Sequence, residues 1–395
     1  MEVQLGSTVK NDSRATHHTT SDAAELVDGS DYTWAGKLTV GNSSEISAVF
    51  KLARDNRVFL EFHADYCVVR DERTGVVLLR GREVISMLGK KFSLKDLGEL
   101  GYFLGVEVHK TSEQLVLSQR KFIRGLLEQT GMLAVKSALT PMVLSPKLTV
   151  DARKPLSDAW LYRSIVGSLL YLSHTRPDIA FIVNRVAQYM HRPCDGHWLV
   201  VKRILCYLNG TLDCGLVFRR SSASKVCCIT AFADADWASN VDDRRSVSGS
   251  CVFLGCNLVS WSAKRQKVVA RSTTEAEYRS IANTVVEVVW VKSLLTDIGE
   301  AVDAIPVVWS DNTSVIAMSA NPIFHARSKY IELDIHFVRE KVECEVVRVN
   351  YVPADHQVAD DMTKPLAKSA HMLFSQKVQI AEKQIVENDR ENVEA

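Results

Sequence analysis

Residues 226–237 read Val226-Cys227-Cys228-Ile229-Thr230-Ala231-Phe232-Ala233-Asp234-Ala235-Asp236-Trp237. An apolar run that ends on a carboxylate predicts a strand over Cys227–Ala233 with Asp234 just after it. Downstream, the pattern predicts strands at Ser250–Leu254, Leu258–Ser262, Val307–Ser310 and Glu345–Val349. Helices are predicted over Thr273–Thr296, Thr313–Ala320, near Asp334–Lys341, and after Gln357. Strands first in a meander and then alternating with helices imply an α/β domain, a mixed sheet with helices on its faces.

Upstream the periodicity is helical. Gln119–Thr130 reads as an amphipathic helix with Gly131 at its C-cap, and Pro141, Pro146 and Pro155 make 140–157 a loop or linker. Further helices are expected over Ala159–Ser173, over Arg176–Met190 opening on Pro177, and around His197–Asn209. Short β-rich runs between Arg57 and Arg80 flank a turn containing Gly75 and read as a hairpin. Residues 1–50 are polar and look like an incomplete domain, and 381–395 read as an acidic-polar tail.

At 395 residues and 46% hydrophobic content the chain can build two or three domains. Its formal net charge of +1 gives no global basic excess, so any nucleic-acid binding must come from local patches. Nine cysteines without a CxxC pair argue against a zinc ribbon, and no apolar run reaches membrane-spanning length. No secretory signal is readable at Met1-Glu2-Val3-Gln4, so the expected setting is reducing and intracellular, cytoplasm or nucleus.

Three acids sit where strands end or a helix faces the sheet: Asp234, Glu277 in the first turns of the long helix, and Asp311 after Val307–Ser310. A fourth, Asp360, falls in the final helix. Carboxylates gathered at one sheet edge can hold two divalent cations roughly 3.5–4 Å apart, which stabilise the attacking and leaving oxygens of a phosphodiester displacement. Acids of this kind also cap helices and favour the positive dipole end, a sufficient account of Glu277 taken alone. Asp234 and Asp311 are more telling, because ligand sites in α/β sheets gather at the C-terminal edge of the strands.

A basic stretch, Lys264, Arg265, Lys267 and Arg271, lies between the third strand and the long helix. It is either a solvated loop or the phosphate-holding side of a polyanion site. Trp237 and Trp261 read as core or rim aromatics.

A family resemblance runs through these residues. Lys95-Asp96-Leu97-Gly98-Glu99-Leu100, Tyr102-Phe103-Leu104-Gly105-Val106-Glu107-Val108, Leu117-Ser118-Gln119, Thr140-Pro141-Met142, Tyr162 to Leu172 and Thr175-Arg176-Pro177-Asp178-Ile179-Ala180 resemble the C-terminal part of the reverse transcriptase of plant copia-type retrotransposons. Ala233 to Ala238, Ser272 to Tyr278, Ser310-Asp311-Asn312, Asn321 to His325, Val358-Ala359-Asp360 and Thr363-Lys364-Pro365-Leu366 are similar to the ribonuclease H domain of the same polyprotein. The resemblance covers roughly residues 84–370 in family order.

It implies a ribonuclease H-like domain over 222–370, preceded by a mainly helical reverse-transcriptase (thumb or connection) remnant over 84–221, with 371–395 as a tail. It assigns metal binding and catalysis to Asp234, Glu277, Asp311 and Asp360, with two Mg²⁺ or Mn²⁺ ions, and an RNA–DNA hybrid as partner; neither a membrane nor a small-molecule cofactor is expected. Asp236 and Glu275 are the neighbours most easily confused with the ligands, and His356 stands where related enzymes carry a mobile His. Asp361 places a second carboxylate beside Asp360 where the family more often has an apolar residue, and is expected to compete with it. The helices of 159–209 are expected to form a separate layer, and the segment 222–370 to cleave hybrids by itself.

The N-terminal part resembles other pieces of the polyprotein. Asp12-Ser13-Arg14-Ala15-Thr16-His17-His18 is similar to the aspartic-protease motif, with Arg14 in the glycine position, so 1–50 is read as an inactive protease remnant. Residues 51–83 resemble the segment ahead of the integrase, and Arg82 to Ser86 then passes directly to reverse transcriptase. The polymerase carboxylates and the integrase zinc motif are missing, so neither activity is expected. The rival reading is an inert nucleic-acid-binding remnant.

Overall fold

The computed structural model describes residues 100–145, 148–150, 154–220, 228–300, 302, 304–320 and 331–382, together with the backbone of three strands between 58 and 80. Expectations for 1–50, for 321–325 and for the end of the tail lie outside the described residues. The chain divides into two units, Met1–Leu104 and Gly105–Ala395.

In the first unit, β1 (Val58–Phe62), β2 (Cys67–Asp71) and β3 (Val77–Arg80) pair antiparallel in that order, so the expected hairpin has a third strand. A two-residue strand, β4 (Tyr102–Phe103), ends the unit.

The second unit opens with β5 (Val106–Lys110), β6 (Gln114–Ser118) and α1 (Arg120–Gln129). Then come α2 (Ala159–Leu172), whose Asp158 cap accepts from the Leu161 amide at 2.8 Å, and a 3-10 turn, Pro177–Ile179, running into α3 (Ala180–Ala187). Pro177 has no amide to donate and a fixed φ, so the expected single helix over Arg176–Met190 starts tight and is shorter. α4 (Asp195–Gly210) and β7 (Cys214–Arg219) complete this part. Ile123, Leu127, Ile165, Leu169, Ile182 and Leu205 lie in one core shared by α1–α4. The strands β5, β6 and β7, which the helical reading did not include, pair antiparallel beside it.

The rest is β8 (Ile229–Asp236), β9 (Val247–Leu254), β10 (Asn257–Arg265), α5 (Thr273–Asp297), β11 (Val307–Ser310), α6 (Thr313–Ala320), α7 (Glu332–Glu343) and β12 (Arg348–Tyr351). The sheet order is β10–β9–β8–β11–β12, antiparallel across the first three strands and parallel across the last three. This is the ribonuclease H-like mixed sheet with flanking helices that the sequence implies. β8 continues through Asp234, which therefore lies within the strand. β12 starts later than expected because Glu345 takes a left-handed φ of 54° after α7, and the chain must turn before it can extend.

Both faces of this sheet are covered. Tyr278, Ile281, Val285 and Val288 of α5 pack with Ala231, Val252 and Val308 on one side. On the other, Cys251 and Phe253 pack with Val358 and Met362 of a 3-10 helix (Val358–Met362), with Phe374 of α8 (Lys368–Lys377), and with Ala180 of α3. The helices of 159–209 thus keep their own core but also lend α3 to the sheet. Residues read as tail from 371 onward form most of α8 and then β13 (Ile380–Glu382), which pairs antiparallel with β7. No helix among the described residues is long and apolar enough to cross a membrane.

Candidate functional site

β8 and β11 run parallel, with Trp309 opposite Phe232, so both end at the same sheet edge. That edge carries Asp234, still on β8, and Asp311, one residue beyond β11. α5 is pinned beneath it: the Ser280 hydroxyl lies 2.7 Å from the Asp234 carbonyl and 3.2 Å from the Gly249 carbonyl. Ser280 is one turn beyond Glu277, so this anchor sets where Glu277 stands.

Asp360 arrives from the other direction. Instead of a final α-helix, it occupies the one-turn 3-10 helix Val358–Met362, held on β8 by Gln357, whose amide donates to the Ala233 carbonyl at 3.0 Å. Gly249 is the β9 residue paired with Asp234. A Cβ there would lie 2.6 Å from Thr363 Cγ2, 2.7 Å from Met362 Cβ and 2.9 Å from the Ala359 carbonyl oxygen. The missing side chain is what lets the 3-10 helix lie against the strand and brings Thr363 to Asp234, to whose carboxylate the Thr363 hydroxyl donates.

Asp234, Glu277 and Asp360 all feel the charge of Asp311. Burial raises the Asp234 carboxyl to about 6, with the charges of Asp360 and Asp311 adding to the rise against the Thr363 hydrogen bond and Lys364. Burial pushes Glu277 up to about 7, again with Asp311 and Asp234 adding, while a hydrogen bond from Asn312 opposes. Asp360 is raised by burial and by Asp311, against Lys364. Carboxyls perturbed by burial and by one another's charge mark a candidate functional site.

Lys364 is the residue that sequence reasoning missed. Its ammonium lies 2.8 Å from Asp360 Oδ1, one helical turn on, and although burial disfavours its charge, the hydrogen bond to Asp360 and the charges of Asp234, Asp360 and Asp311 outweigh this and raise its pKa. The basic stretch is placed differently. Lys264, Arg265, Lys267 and Arg271 are all exposed; Arg265 lies 2.8 Å from Asp243, and the Arg271 amide donates to Glu275. Glu275 is a helix-start residue, bound at 2.9 Å to Arg279, and is separate from the acid cluster. His356 is exposed, 3.1 Å from Asp355. Asp361 does not compete with Asp360: it is buried and bound to His371.

The donor set fits a hard divalent cation. It consists of carboxylate oxygens, and Glu277 Oε2 is buried with no hydrogen-bond partner among the described residues. As they stand, no three His, Cys, Asp or Glu side chains among the described residues surround one point as a ready-made metal cage.

No protein-family model matches the chain. It is 43% identical over 344 residues, 86% of its length, to the retrovirus-related Pol polyprotein from transposon RE2 of Arabidopsis thaliana. It is 34% identical over 347 residues to the corresponding polyprotein from transposon TNT 1-94 of Nicotiana tabacum, and 45% identical over 207 residues to an uncharacterized mitochondrial protein of Arabidopsis thaliana, of which it covers 85%. Over most of its length the chain is homologous to copia-type retrotransposon Pol polyproteins. It spans about a quarter of the length of the Pol polyproteins it matches, 23% and 25%. Among solved structures, the chain is similar to LC11-RNase H1, isolated from compost, at 12% identity and a TM-score of 0.28 over 35% of this chain and 94% of that one. It is also similar to the N-terminal RNase H domain of a Mycobacterium tuberculosis protein, at 16% identity and a TM-score of 0.27 over 38% and 97%.

Proposed function

We propose that this chain hydrolyses the RNA strand of RNA–DNA hybrids with two Mg²⁺ or Mn²⁺ ions. The observation that carries the reading is the convergence of Asp234, Glu277, Asp311 and Asp360 from four different elements, with an unpaired buried oxygen on Glu277. When bound, the ions supply charge stabilisation at the attacking and leaving oxygens of the scissile phosphodiester. The chain's own residues do the rest. Asp234 and Glu277 supply buried anionic oxygens, and Thr363 fixes the orientation of the Asp234 carboxylate. Asn312 orients Glu277 and caps α6, accepting from the Ser314 amide at 2.9 Å. Lys264, Arg265, Lys267 and Arg271 form the exposed basic side for the substrate phosphates. Discrimination rests on the 2′-OH and duplex shape, independent of base sequence. Polymerase, integrase and protease activities are not expected.

Purified full-length chain with Mg²⁺ or Mn²⁺ is expected to cut the RNA of a hybrid and to leave single-stranded RNA and duplex DNA intact. Asp234→Asn, which removes a charge at constant volume, is expected to abolish cleavage; wild-type-like turnover in that variant would sink the assignment. A second reading, a non-catalytic hybrid-binding remnant, is favoured by Lys364, whose ammonium already neutralises Asp360. Hybrid binding without cleavage at saturating metal would select it.

A further inference from the structure

Asp361 follows Asp360 in the 3-10 helix yet engages a different set of residues. Its Oδ1 lies 3.3 Å from His371 Nδ1, and His371 Nε2 lies 3.2 Å from the Tyr207 hydroxyl. Tyr207 donates to Asp178 Oδ2 at 2.7 Å. Arg176 clasps Asp178 through Nε at 2.9 Å and Nη2 at 2.7 Å, and also donates to the Thr211 carbonyl at 3.0 Å and hydroxyl at 2.8 Å. Arg176, Asp178, Tyr207, His371 and Asp361 are between 1% and 7% exposed. They span the turn before α3, the end of α4, the 3-10 helix and α8.

Burying so many polar and charged groups costs more than an apolar core would, so the arrangement is better explained by geometry than by stability. The donor count shows what it fixes. The single hydroxyl proton of Tyr207 goes to Asp178, so the oxygen accepts from His371 Nε2–H. That orients the His371 ring and aims Nδ1 at Asp361. Asp361 in turn fixes the rotation of a helix only one turn long, and Asp360 is the adjacent residue.

We propose that Arg176, Asp178, Tyr207, His371 and Asp361 form a positioning relay through which the polymerase-derived helices set Asp360 against Asp234. The consequence for metal use rests on the cleavage reading given above; the mechanical consequence does not. In this relay the Thr-Arg-Pro-Asp segment is the far anchor of the ribonuclease H site.

The test uses the full chain and Tyr207→Phe, which removes one hydroxyl and keeps the ring. Amide hydrogen exchange is followed by mass spectrometry, together with a magnesium titration of hybrid cleavage. The Thr363 and Lys364 amides donate to the Asp360 carbonyl at 3.1 Å and 3.0 Å. Their exchange is expected to rise about tenfold while α5 and β8–β9 keep their protection. The magnesium midpoint is expected to rise several-fold, with the rate at saturating metal close to wild type. Unchanged exchange over 358–364, or equal loosening everywhere, would overturn the relay, as would faster exchange with an unmoved magnesium midpoint. Should Tyr207→Phe fail to fold, Asp361→Asn carries the same expectations. A wild-type chain that cleaves nothing refutes the cleavage reading alone, since the exchange result still decides the relay.

Discussion

Glu277 shows what the site demands of a single residue. Its carboxyl is raised by burial from the ordinary 4.5 to about 7, and the nearby Asp311 and Asp234 add to the rise. A group whose pKa is raised on folding contributes stability below its unfolded value and loses it as pH climbs through the folded one. Metal-free protein is therefore expected to lose about 3 kcal/mol between pH 4.5 and 7 from Glu277 alone, with Asp234 acting in the same direction. Mg²⁺ at pH 8 should restore it. Thermal unfolding across this range, with and without Mg²⁺, checks both; metal-free stability that rises with pH would contradict the site's electrostatics. At this scale the sequence was informative for the acids, because strand ends and motifs name them. It was silent on Lys364, since a lysine four residues after an aspartate looks like any helical pair. It misread Asp361, because adjacency says nothing about which side of a one-turn helix a side chain takes.

At the scale of elements, the contact of β9 with the 3-10 helix decides where Asp360 stands. Gly249→Ala would push a methyl into the Ala359 carbonyl, a backbone atom that cannot swing aside, as well as into Met362 and Thr363. Overpacking of this kind costs about 1–3 kcal/mol. The expected outcome is a lower urea midpoint and a loss of cleavage larger than the stability loss explains, because Asp360 is displaced from Asp234. A variant with wild-type midpoint and activity would show that the contact is not needed. The long periodic helices α2, α4 and α5 were legible to within a few residues. β5, β7 and β13 were not: short strands owe their state to distant partners rather than to their own pattern. The run 358–362 carried no cue that it would close as a 3-10 turn.

For the whole second unit, elements from upstream of the mixed sheet cover part of it. Ala180 and Phe181 of α3 pack onto its outer face, and the Trp261 indole donates to the Ser173 carbonyl at 3.0 Å. Removing residues 105–220 bares that face and takes β7 away from β13. The excised segment 228–382 is therefore expected to melt well below the 105–395 unit and to aggregate, which calorimetry and light scattering would measure. An equally stable excised segment would restore the sequence-based expectation of an independent ribonuclease H domain. Motifs report chemistry and so imply such a domain, whereas the covering of a sheet's second face is settled by residues far away in the chain.

The pairing of β13 with β7 also has a consequence for biosynthesis. Leu216 meets Ile380, and the Val217 amide donates to the Gln379 carbonyl at 3.0 Å, across nearly the full length of the ribonuclease H-like segment. On the ribosome, β7 can find β6 at once but must wait with its other edge open until the last described strand emerges. An open edge is a template for foreign strands, and closing it over so long a loop is slow. A premature stop just ahead of Ile380 would therefore yield an aggregation-prone product, even though every candidate catalytic residue had already been translated.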